Sequence, residues 1–381
     1  MAFSVSDTQF MSVAHKAAQR LDDRPWPNPP VGAVVVRDGD VVGLGAHAGP
    51  GEAHAEIIAL AAAGDRARGA TLYVTLEPCN HQGRQPPCAP VVAASGIDRL
   101  VVGVRDPNPA VAGGGIAVVR AAGIEVSLGV LGRGCLELIW PFAVTDGFTR
   151  PFVVLKTAAT LDGRFAPAGG VDGEPIYLTG PAALAEVGRL RRWSDAVLVG
   201  EGTVRADRPR LDGRRAPDDP PVPRAEPRPA CVDTDLSGVA GWGRDGILAF
   251  AGESVDRERV RRLEDAGVQV ALCRERGGRV DLPDLMGRAR ELGLHVLLVE
   301  GGPTLAASML ADGLVDRWVQ FVAPQVLGEG VGWPVAPAPE AARGFTLTRA
   351  LRIGADACMT WDRADFPALR AALTRTRDGE D

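Results

Sequence analysis

The sequence predicts an α/β protein built from two layered domains. Its 381 residues exceed the roughly 100–200 residues that one domain usually holds. Short runs of β-branched residues alternate with amphipathic segments along the chain, which is typical of α/β folds. The stretch 140–151 contains Pro141, Gly147 and Pro151, and such residues mark connections between elements. We therefore predict a first domain over residues 1–145 and a second over 146–381.

The first half alternates between predicted helices and strands. Apolar residues at helical spacing predict a helix over 5–21. Pro78 suits the first position of a helix, so Cys79 is predicted to open one. The other predicted elements are a hairpin of strands 31–36 and 41–45, helices at 55–63, 89–95 and 115–122, and strands at 71–76, 100–104 and 124–127.

The second half shows the same alternation. Strands are predicted at 152–157, 196–200 and 295–299, a long surface loop at 208–229 and a frayed helical tail at 366–381. The turns at 198–203 and 299–304 each follow a strand and precede a helix, and both contain glycine. Such turns accept phosphate through backbone N–H groups, although loops of this type are also common without a ligand.

Composition excludes several classes of protein. The apolar content of 46% supports two cores, and the net charge of −6 gives no footprint for nucleic acid. No basic and apolar leader is apparent at the N-terminus, and no apolar run is long enough to span a bilayer. Six scattered cysteines do not form a disulfide framework. We expect a cytoplasmic protein with small-molecule partners, no nucleic acid and no membrane; a homo-oligomer is left open.

One constellation carries chemistry. His54, Cys79 and Cys88 are zinc ligand types, and Glu56 lies two residues after the histidine. Three protein ligands leave one tetrahedral position for water, as in catalytic zinc sites, and a glutamate that is not a ligand completes the zinc deaminase pattern. The alternatives are buried cysteines with a core histidine, or a closed structural site with His81 as fourth ligand.

Lysine is rare enough to be informative. Of 42 basic residues only Lys16 and Lys156 are lysines. Because the two cations are not interchangeable, a lysine in an arginine-rich chain indicates a position where the ammonium matters. Lys16 lies on a polar helix face, so Lys156 is the better catalytic candidate.

The first half contains several short motifs around the predicted zinc ligands, namely Pro27–Pro29, Gly45–His47, His54–Glu56, Thr75–Cys79, His81–Arg84, Pro86–Cys88 and Asp106–Pro109. In these motifs the chain resembles a known family, the bifunctional riboflavin-biosynthesis deaminase/reductase. This family joins diaminohydroxyphosphoribosylaminopyrimidine deaminase to 5-amino-6-(5-phosphoribosylamino)uracil reductase, and the resemblance covers roughly residues 5–365. The resemblance implies zinc on His54, Cys79 and Cys88, with Glu56 moving protons. It also implies substrate contacts from Asn28, His47, His81, Arg84 and Asn108.

For the second half the resemblance implies a dihydrofolate-reductase-like fold that uses NADPH, with Lys156 lining the pocket. The implied cofactor contacts are Ala158, Tyr177, Thr203, Asp207, Thr234, Gly301, Gly302, Pro303, Thr304 and Leu305. The implied contacts with the phosphorylated pyrimidine substrate are Arg191, Leu211, Arg214 and Glu300.

The second half also departs from the family pattern. Pro175 stands where a substrate-binding serine is expected, Tyr177 replaces a tryptophan, and Arg208 replaces an aspartate. Two alternatives to the bifunctional enzyme therefore remain. One is a relative in which only the deaminase is active or the reductase substrate has changed. The other is a scaffold with structural zinc, which the presence of Glu56 disfavours.

Overall fold

The computed structural model describes residues 5–19, 28–83, 85–108, 114–145, 149–167, 177–213, 226–334, 344–363 and 366–374. The chain divides into two compact units, residues 1–148 with 365–381, and residues 149–364. The first division lies three residues beyond the predicted boundary at 145. The C-terminal segment, which the sequence analysis assigned to the second domain, belongs to the first unit. There the amide of Arg105 donates to the carbonyl of Leu373 at 2.8 Å, and the Leu373 side chain is buried.

The first unit is a mixed sheet flanked by helices. Its strands are β1 (Gly32–Arg37), β2 (Asp40–Ala46), β3 (Thr71–Leu76), β4 (Arg99–Val104) and β5 (Glu125–Leu128). Its helices are α1 (Val5–Gln19), α2 (Ala55–Ala63), α3 (Cys88–Ala94), α4 (Gly114–Ala121), α5 (Gly132–Val144) and, from the C-terminal segment, the helix Phe366–Thr374. The strand order is β2-β1-β3-β4-β5, with β3, β4 and β5 parallel.

A close approach between β2 and α2 places the start of α2. A Cβ atom on Gly45 would lie 2.2 Å from the carbonyl oxygen of Ala55, a distance that no side chain could occupy. Glycine therefore lets the first turn of α2 rest directly on β2. This contact determines where His54 and Glu56 lie.

One prediction for the first unit was wrong, and one helix was missed. Cys79 does not open a helix: it lies in an extended loop, its carbonyl accepts from Ala89 at 3.0 Å, and the next helix begins at Cys88. Helix α5 was not predicted, because it contains Pro141 and proline usually ends a helix.

The second unit is built on one large sheet. Its strands are β6 (Phe152–Thr160), β7 (Ala166–Pro167), β8 (Ala196–Gly200), β9 (Arg228–Val232), β10 (Leu248–Gly252), β11 (Gln269–Cys273), β12 (Glu275–Arg276), β13 (Arg279–Val280), β14 (Val296–Glu300), β15 (Arg317–Ala323), β16 (Gly330–Val331), β17 (Phe345–Ile353) and β18 (Asp356–Arg363). Its helices are α6 (Pro181–Trp193), α7 (Glu201–Asp207), α8 (Arg257–Asp265), α9 (Leu282–Glu291) and α10 (Pro303–Ala311). With these assigned, the C-terminal helix Phe366–Thr374 is α11.

The large sheet has the order β11-β10-β9-β8-β14-β6-β15-β18-β17 among the described residues. Its first seven strands are parallel, and β17 and β18 add an antiparallel hairpin at one edge. Strand β6 runs to Thr160, so Lys156 lies inside the strand instead of ending it as predicted. No helix among these described segments is long and apolar enough to cross a membrane.

One buried carboxylate joins the two ends of the second unit. Asp316 is fully buried and accepts from the guanidinium of Arg150 at 2.5 and 2.7 Å. It also accepts from Arg363 at 3.3 Å and from the amide of Val153 at 2.9 Å. Arg150 lies where the chain enters the unit and Arg363 lies where it leaves, so Asp316 fixes the entry and the exit together.

We predict that Asp316→Asn lowers the free energy of unfolding of the second unit by about 2–4 kcal/mol, because it weakens buried charge-assisted hydrogen bonds. Urea denaturation monitored by tryptophan fluorescence measures the change. The matched control is Asp265→Asn, at an exposed end of α8, which should shift stability by no more than about 0.5 kcal/mol. Equal shifts in both variants would contradict the role of Asp316.

Candidate active sites

Three segments of the first unit bring the predicted metal ligands together. His54 is the N-cap of α2, Cys79 follows β3, and Cys88 is the first residue of α3. The His54 Nδ1 atom lies 3.1 Å from Cys88 Sγ and 3.5 Å from Cys79 Sγ. All three ligand atoms lie within 4.8 Å of one another, and His81 is not a member of this group. The closed four-ligand alternative therefore has no support among the described residues.

The electrostatics of this group favour a charged thiolate. A hydrogen bond with Cys88 and the neighbouring His54 lower the pKa of the Cys79 thiol to about 4. The amide of Cys88 adds a further hydrogen bond to Cys79 Sγ at 3.3 Å. A hydrogen bond with Cys79 in turn raises the pKa of His54. The thiolate is the form that binds metal.

Glu56 lies beside this group without belonging to it. It is buried, and burial raises the pKa of its carboxyl to about 7. A carboxyl group with a pKa near neutrality can both take up and release a proton at physiological pH. Glu56 is therefore suited to acid–base chemistry next to the cluster.

A cavity of about 360 Å³ opens onto the cluster and contains four of the five predicted substrate-binding residues of this unit, Asn28, His47, His81 and Asn108. The fifth, Arg84, lies outside the described residues. His47 is buried, which lowers the pKa of its imidazole. Its Nδ1 donates to the carbonyl of Ala53 at 3.2 Å, so its Nε2 is free to accept from the side-chain amide of Asn28 at 2.8 Å.

Sequence reasoning missed several residues of this cavity. Phe142 lines it from α5, a helix that the sequence did not reveal. Glu77 and Asp106 also line it, although both are almost fully buried. Their position in the Glu77–Cys79 and Asp106–Asn108 motifs was the only signal available in the sequence.

In the second unit the predicted cofactor residues lie near the carboxyl ends of the parallel strands of the large sheet. Strands β8 and β14 are adjacent and parallel, so the turns that follow them meet. The amide of Gly302 donates to Thr203 Oγ1 at 3.3 Å. Thr234 follows the next strand, β9, and its Oγ1 accepts from Val280 at 3.3 Å. The remaining residues of the set lie on or after these strands or on β6, namely Ala158, Asp207, Gly301, Pro303, Thr304 and Leu305.

The predicted substrate residues Arg191 and Glu300 contact each other. The buried Arg191 guanidinium donates to the Glu300 carboxylate at 2.6 and 2.8 Å and to the carbonyl of Asp212 at 3.2 Å. The guanidinium of Arg191 therefore already binds a carboxylate within the protein. The sequence did not reveal this contact. Lys156 is the register partner of Glu300 on the neighbouring strand, and paired residues of parallel strands share one face. Lys156 and Glu300 thus lie on the same face of the sheet, and Arg191 contacts Glu300.

The other residues that the sequence singled out in this unit do not share one environment. Tyr177 is 50% exposed, whereas Leu211 is 1% exposed. Leu211 and Arg208 both have a positive φ, of 50° and 41°, which non-glycine residues rarely adopt. Arg214, like Pro175, lies outside the described residues.

Comparisons with known proteins match both units. The family model described as "Cytidine and deoxycytidylate deaminase zinc-binding region" matches residues 4–104, and the model described as "RibD C-terminal domain" matches residues 151–359. The riboflavin biosynthesis protein RibD of Aquifex aeolicus is 39% identical over 328 residues, covering 85% of this chain and 89% of the relative. The chain belongs to the RibD family.

Other RibD proteins extend this result over nearly the whole chain. The Escherichia coli protein is 36% identical over 93% of this chain and 99% of its own length. The structure of Acinetobacter baumannii RibD superimposes with a TM-score of 0.77 at 32% identity, covering 94% of this chain and 99% of that one. The Thermotoga maritima diaminohydroxyphosphoribosylaminopyrimidine deaminase/5-amino-6-(5-phosphoribosylamino)uracil reductase gives a TM-score of 0.76 at 30% identity, with the same two coverages.

Family membership confirms the predicted fold class and function at the level of domains. The chain is a riboflavin biosynthesis enzyme that joins a zinc-binding, cytidine-deaminase-like domain to a RibD reductase domain. The relatives match across both units, so the alternative in which only the deaminase works is not favoured.

We predict that Cys79→Ser and Cys88→Ser each empty the metal site, because a serine hydroxyl binds zinc far more weakly than a thiolate. Elemental analysis of the purified full chain measures this. Cys135→Ala is the control, since Cys135 is a buried free cysteine of the same unit outside the metal-ligand group, and it should retain zinc. One full zinc in either serine variant would refute the ligand assignment.

Proposed function

We propose that the first unit hydrolyses an amino group from a diaminohydroxyphosphoribosylaminopyrimidine, and that the second reduces the ribose of the deaminated product with NADPH. The observation that carries the proposal is the group of His54, Cys79 and Cys88, which opens into a cavity beside a buried carboxyl. The Thermotoga maritima relative is named for both reactions.

The three ligand atoms suit a zinc ion. Tetrahedral zinc with bonds of about 2.0–2.3 Å places neighbouring ligand atoms roughly 3.5–3.8 Å apart. The distance from His54 Nδ1 to Cys79 Sγ, 3.5 Å, lies at the lower end of this range, and the distance to Cys88 Sγ, 3.1 Å, lies below it, so a small outward shift of Cys88 would admit the ion. When bound, zinc would lower the pKa of a water molecule towards neutrality.

Glu56 would move the proton in the deamination step. With a pKa near 7, its carboxylate would accept a proton from the attacking water and then give it to the leaving amino nitrogen. The bond from the ring carbon to that nitrogen breaks and ammonia leaves, while the water oxygen stays on the ring carbon as a carbonyl and the second water proton passes to the adjacent ring nitrogen. Burial of Glu56 keeps the proton from exchanging with bulk water during this transfer.

The remaining cavity residues would orient the pyrimidine. The hydrogen bonds with Asn28 and Ala53 occupy both ring nitrogens of His47, so His47 would fix Asn28, whose amide oxygen can face the substrate, and would itself contact the substrate through the face of its ring. We assign substrate contacts to Asn28, His47, His81, Arg84 and Asn108.

In the second unit we propose that NADPH lies along the carboxyl ends of β6, β14, β8 and β9. The turn after β14 opens α10, in whose first turn the amides of Thr304 and Leu305 have no partner within the helix, and such a helix start favours phosphate. We assign cofactor contacts to Ala158, Tyr177, Thr203, Asp207, Thr234 and the segment Gly301–Leu305. Hydride transfer itself is the chemistry of the nicotinamide.

Lys156, Glu300 and Arg191 would form the substrate side of the reductase pocket, together with Leu211 and Arg214. Because Arg191 is bound by Glu300, it would orient this carboxylate as well as attract phosphate. The Lys156 ammonium lies on the same face and would supply the catalytic cation. Free cysteine thiolates fit the reducing conditions of the cytosol, so we propose a cytoplasmic location.

We predict that Glu56→Gln retains one zinc per chain but lowers the rate of deamination by about 10²–10⁴-fold, since only proton transfer is lost. Ammonia release from the pyrimidine substrate, measured beside the zinc content, tests this. Glu137→Gln, on the exposed surface of α5, should behave as the wild type. Loss of zinc from the Glu56 variant would mean that Glu56 is a ligand.

We predict that Lys156→Met lowers NADPH oxidation on deaminated substrate by about 10²-fold, because the pocket loses its ammonium. The chain offers a matched control in its other lysine, and Lys16→Met on the exposed face of α1 should leave the rate unchanged. The same assay with NADH should give a lower rate in the wild type. Equal rates for the Lys156 variant and the wild type would exclude a catalytic role for this residue.

A further inference from the structure

Glu77 is a buried acidic residue between β3 and the metal ligand Cys79, and the deamination step described above does not use it. Its side chain lines the cavity while only 3% of the residue is exposed. A carboxylate is rarely buried without a specific set of partners. We propose that Glu77 is a positioning residue, which fixes the Asp106–Asn108 wall of the cavity relative to Cys79.

The first contact joins Glu77 to the segment after β4. Its Oε2 accepts from the backbone amide of Asp106 at 3.2 Å. Asp106 in turn holds the backbone of Asn108, because its Oδ1 accepts from the amide of Asn108 at 2.9 Å. The Glu77 amide also donates to the carbonyl of Val104 at 2.9 Å. Asn108 is therefore placed by a short chain of hydrogen bonds that begins two residues before Cys79.

The second contact joins Glu77 to the start of α4. Its Oε1 accepts from the amide of Ile116 at 3.1 Å, one of the N–H groups that a helix leaves without an internal partner. A carboxylate at this position is also favoured by the helix dipole. Glu77 thus caps α4 from a distant part of the chain.

A glycine gives independent support for this close packing. A Cβ atom on Gly115 would lie 1.8 Å from the carbonyl oxygen of Pro78. The start of α4 can approach the Glu77–Pro78 backbone only because this residue has no side chain. The loop that carries Cys79 and the wall that carries Asn108 are therefore in contact at both backbone and side-chain level.

The two contacts require a carboxylate. Both oxygens of Glu77 accept from amide N–H groups, and a glutamine would direct its NH₂ group at one of them. One buried amide would then lose its acceptor and be left without a hydrogen bond. Glu77→Gln conserves the shape of the side chain, so it changes this contact with little change in packing.

The inference rests on the proposed deamination, and two measurements separate them. Hydrogen exchange with mass spectrometry reports the Asp106 and Ile116 amides whatever the activity. We expect faster exchange of the peptides containing them in Glu77→Gln, and no change in the control Glu125→Gln, whose side chain is 70% exposed. Unchanged exchange in the Glu77 variant would overturn the proposal.

The second measurement is a double-mutant cycle on deamination. Glu77→Gln should retain zinc and raise KM for the pyrimidine about tenfold with a smaller change in kcat. If Glu77 acts through Asn108, the double variant Glu77→Gln/Asn108→Ala should have the same KM as Asn108→Ala alone. Additive effects, or loss of zinc from Glu77→Gln, would show a general structural role and overturn the proposal. A wild type that releases no ammonia would instead overturn the proposed function.

Discussion

The first unit depends on one constraint, that a histidine and two cysteines from three separate segments meet within a few ångströms. His54 comes from the start of α2, and its position follows from the direct contact of α2 with β2 at Gly45. Cys79 follows β3, and Cys88 opens α3. A metal bound by these three would couple folding to ligand binding, because the unfolded chain does not preform such a site. The cavity, the buried carboxyl of Glu56 and the Asp106–Asn108 wall of the cavity all lie around these three side chains.

In the second unit the candidate residues are brought together by neighbouring strands of the large sheet. The carboxyl ends of parallel strands all lie at the same end of the sheet, and ligands of open α/β sheets usually bind there. Thr203 and Gly302, from neighbouring strand ends, are joined by a hydrogen bond. Lys156 and Glu300 are register partners on the two adjacent strands. The sheet thus brings the candidate residues together, and the buried carboxylate of Asp316 binds Arg150 and Arg363 where the chain enters and leaves the unit.

Local patterns predicted most regular elements of the first unit but only three strands of the second, β6, β8 and β14, and tertiary contacts explain the failures discussed next. The strand at 71–76 was predicted to the residue, because a β-branched run between turns is a local signal. The helix at Cys79 was wrong, because contacts with distant segments keep that loop extended. Helix α5 continues through Pro141, which local rules treat as a stop. The pairing of Arg191 with Glu300 joins positions 109 residues apart, and no motif in a single sequence records such a partner.

The proposed deamination depends on zinc held by three protein ligands, with the fourth position left for water. X-ray absorption at the zinc K-edge of the purified full chain measures this coordination. We expect two sulfur ligands at about 2.3 Å, a single imidazole at about 2.0–2.1 Å and one further light atom that is not a histidine nitrogen. Two histidines, more than two sulfurs, or a chain that binds no zinc would contradict the three-ligand site.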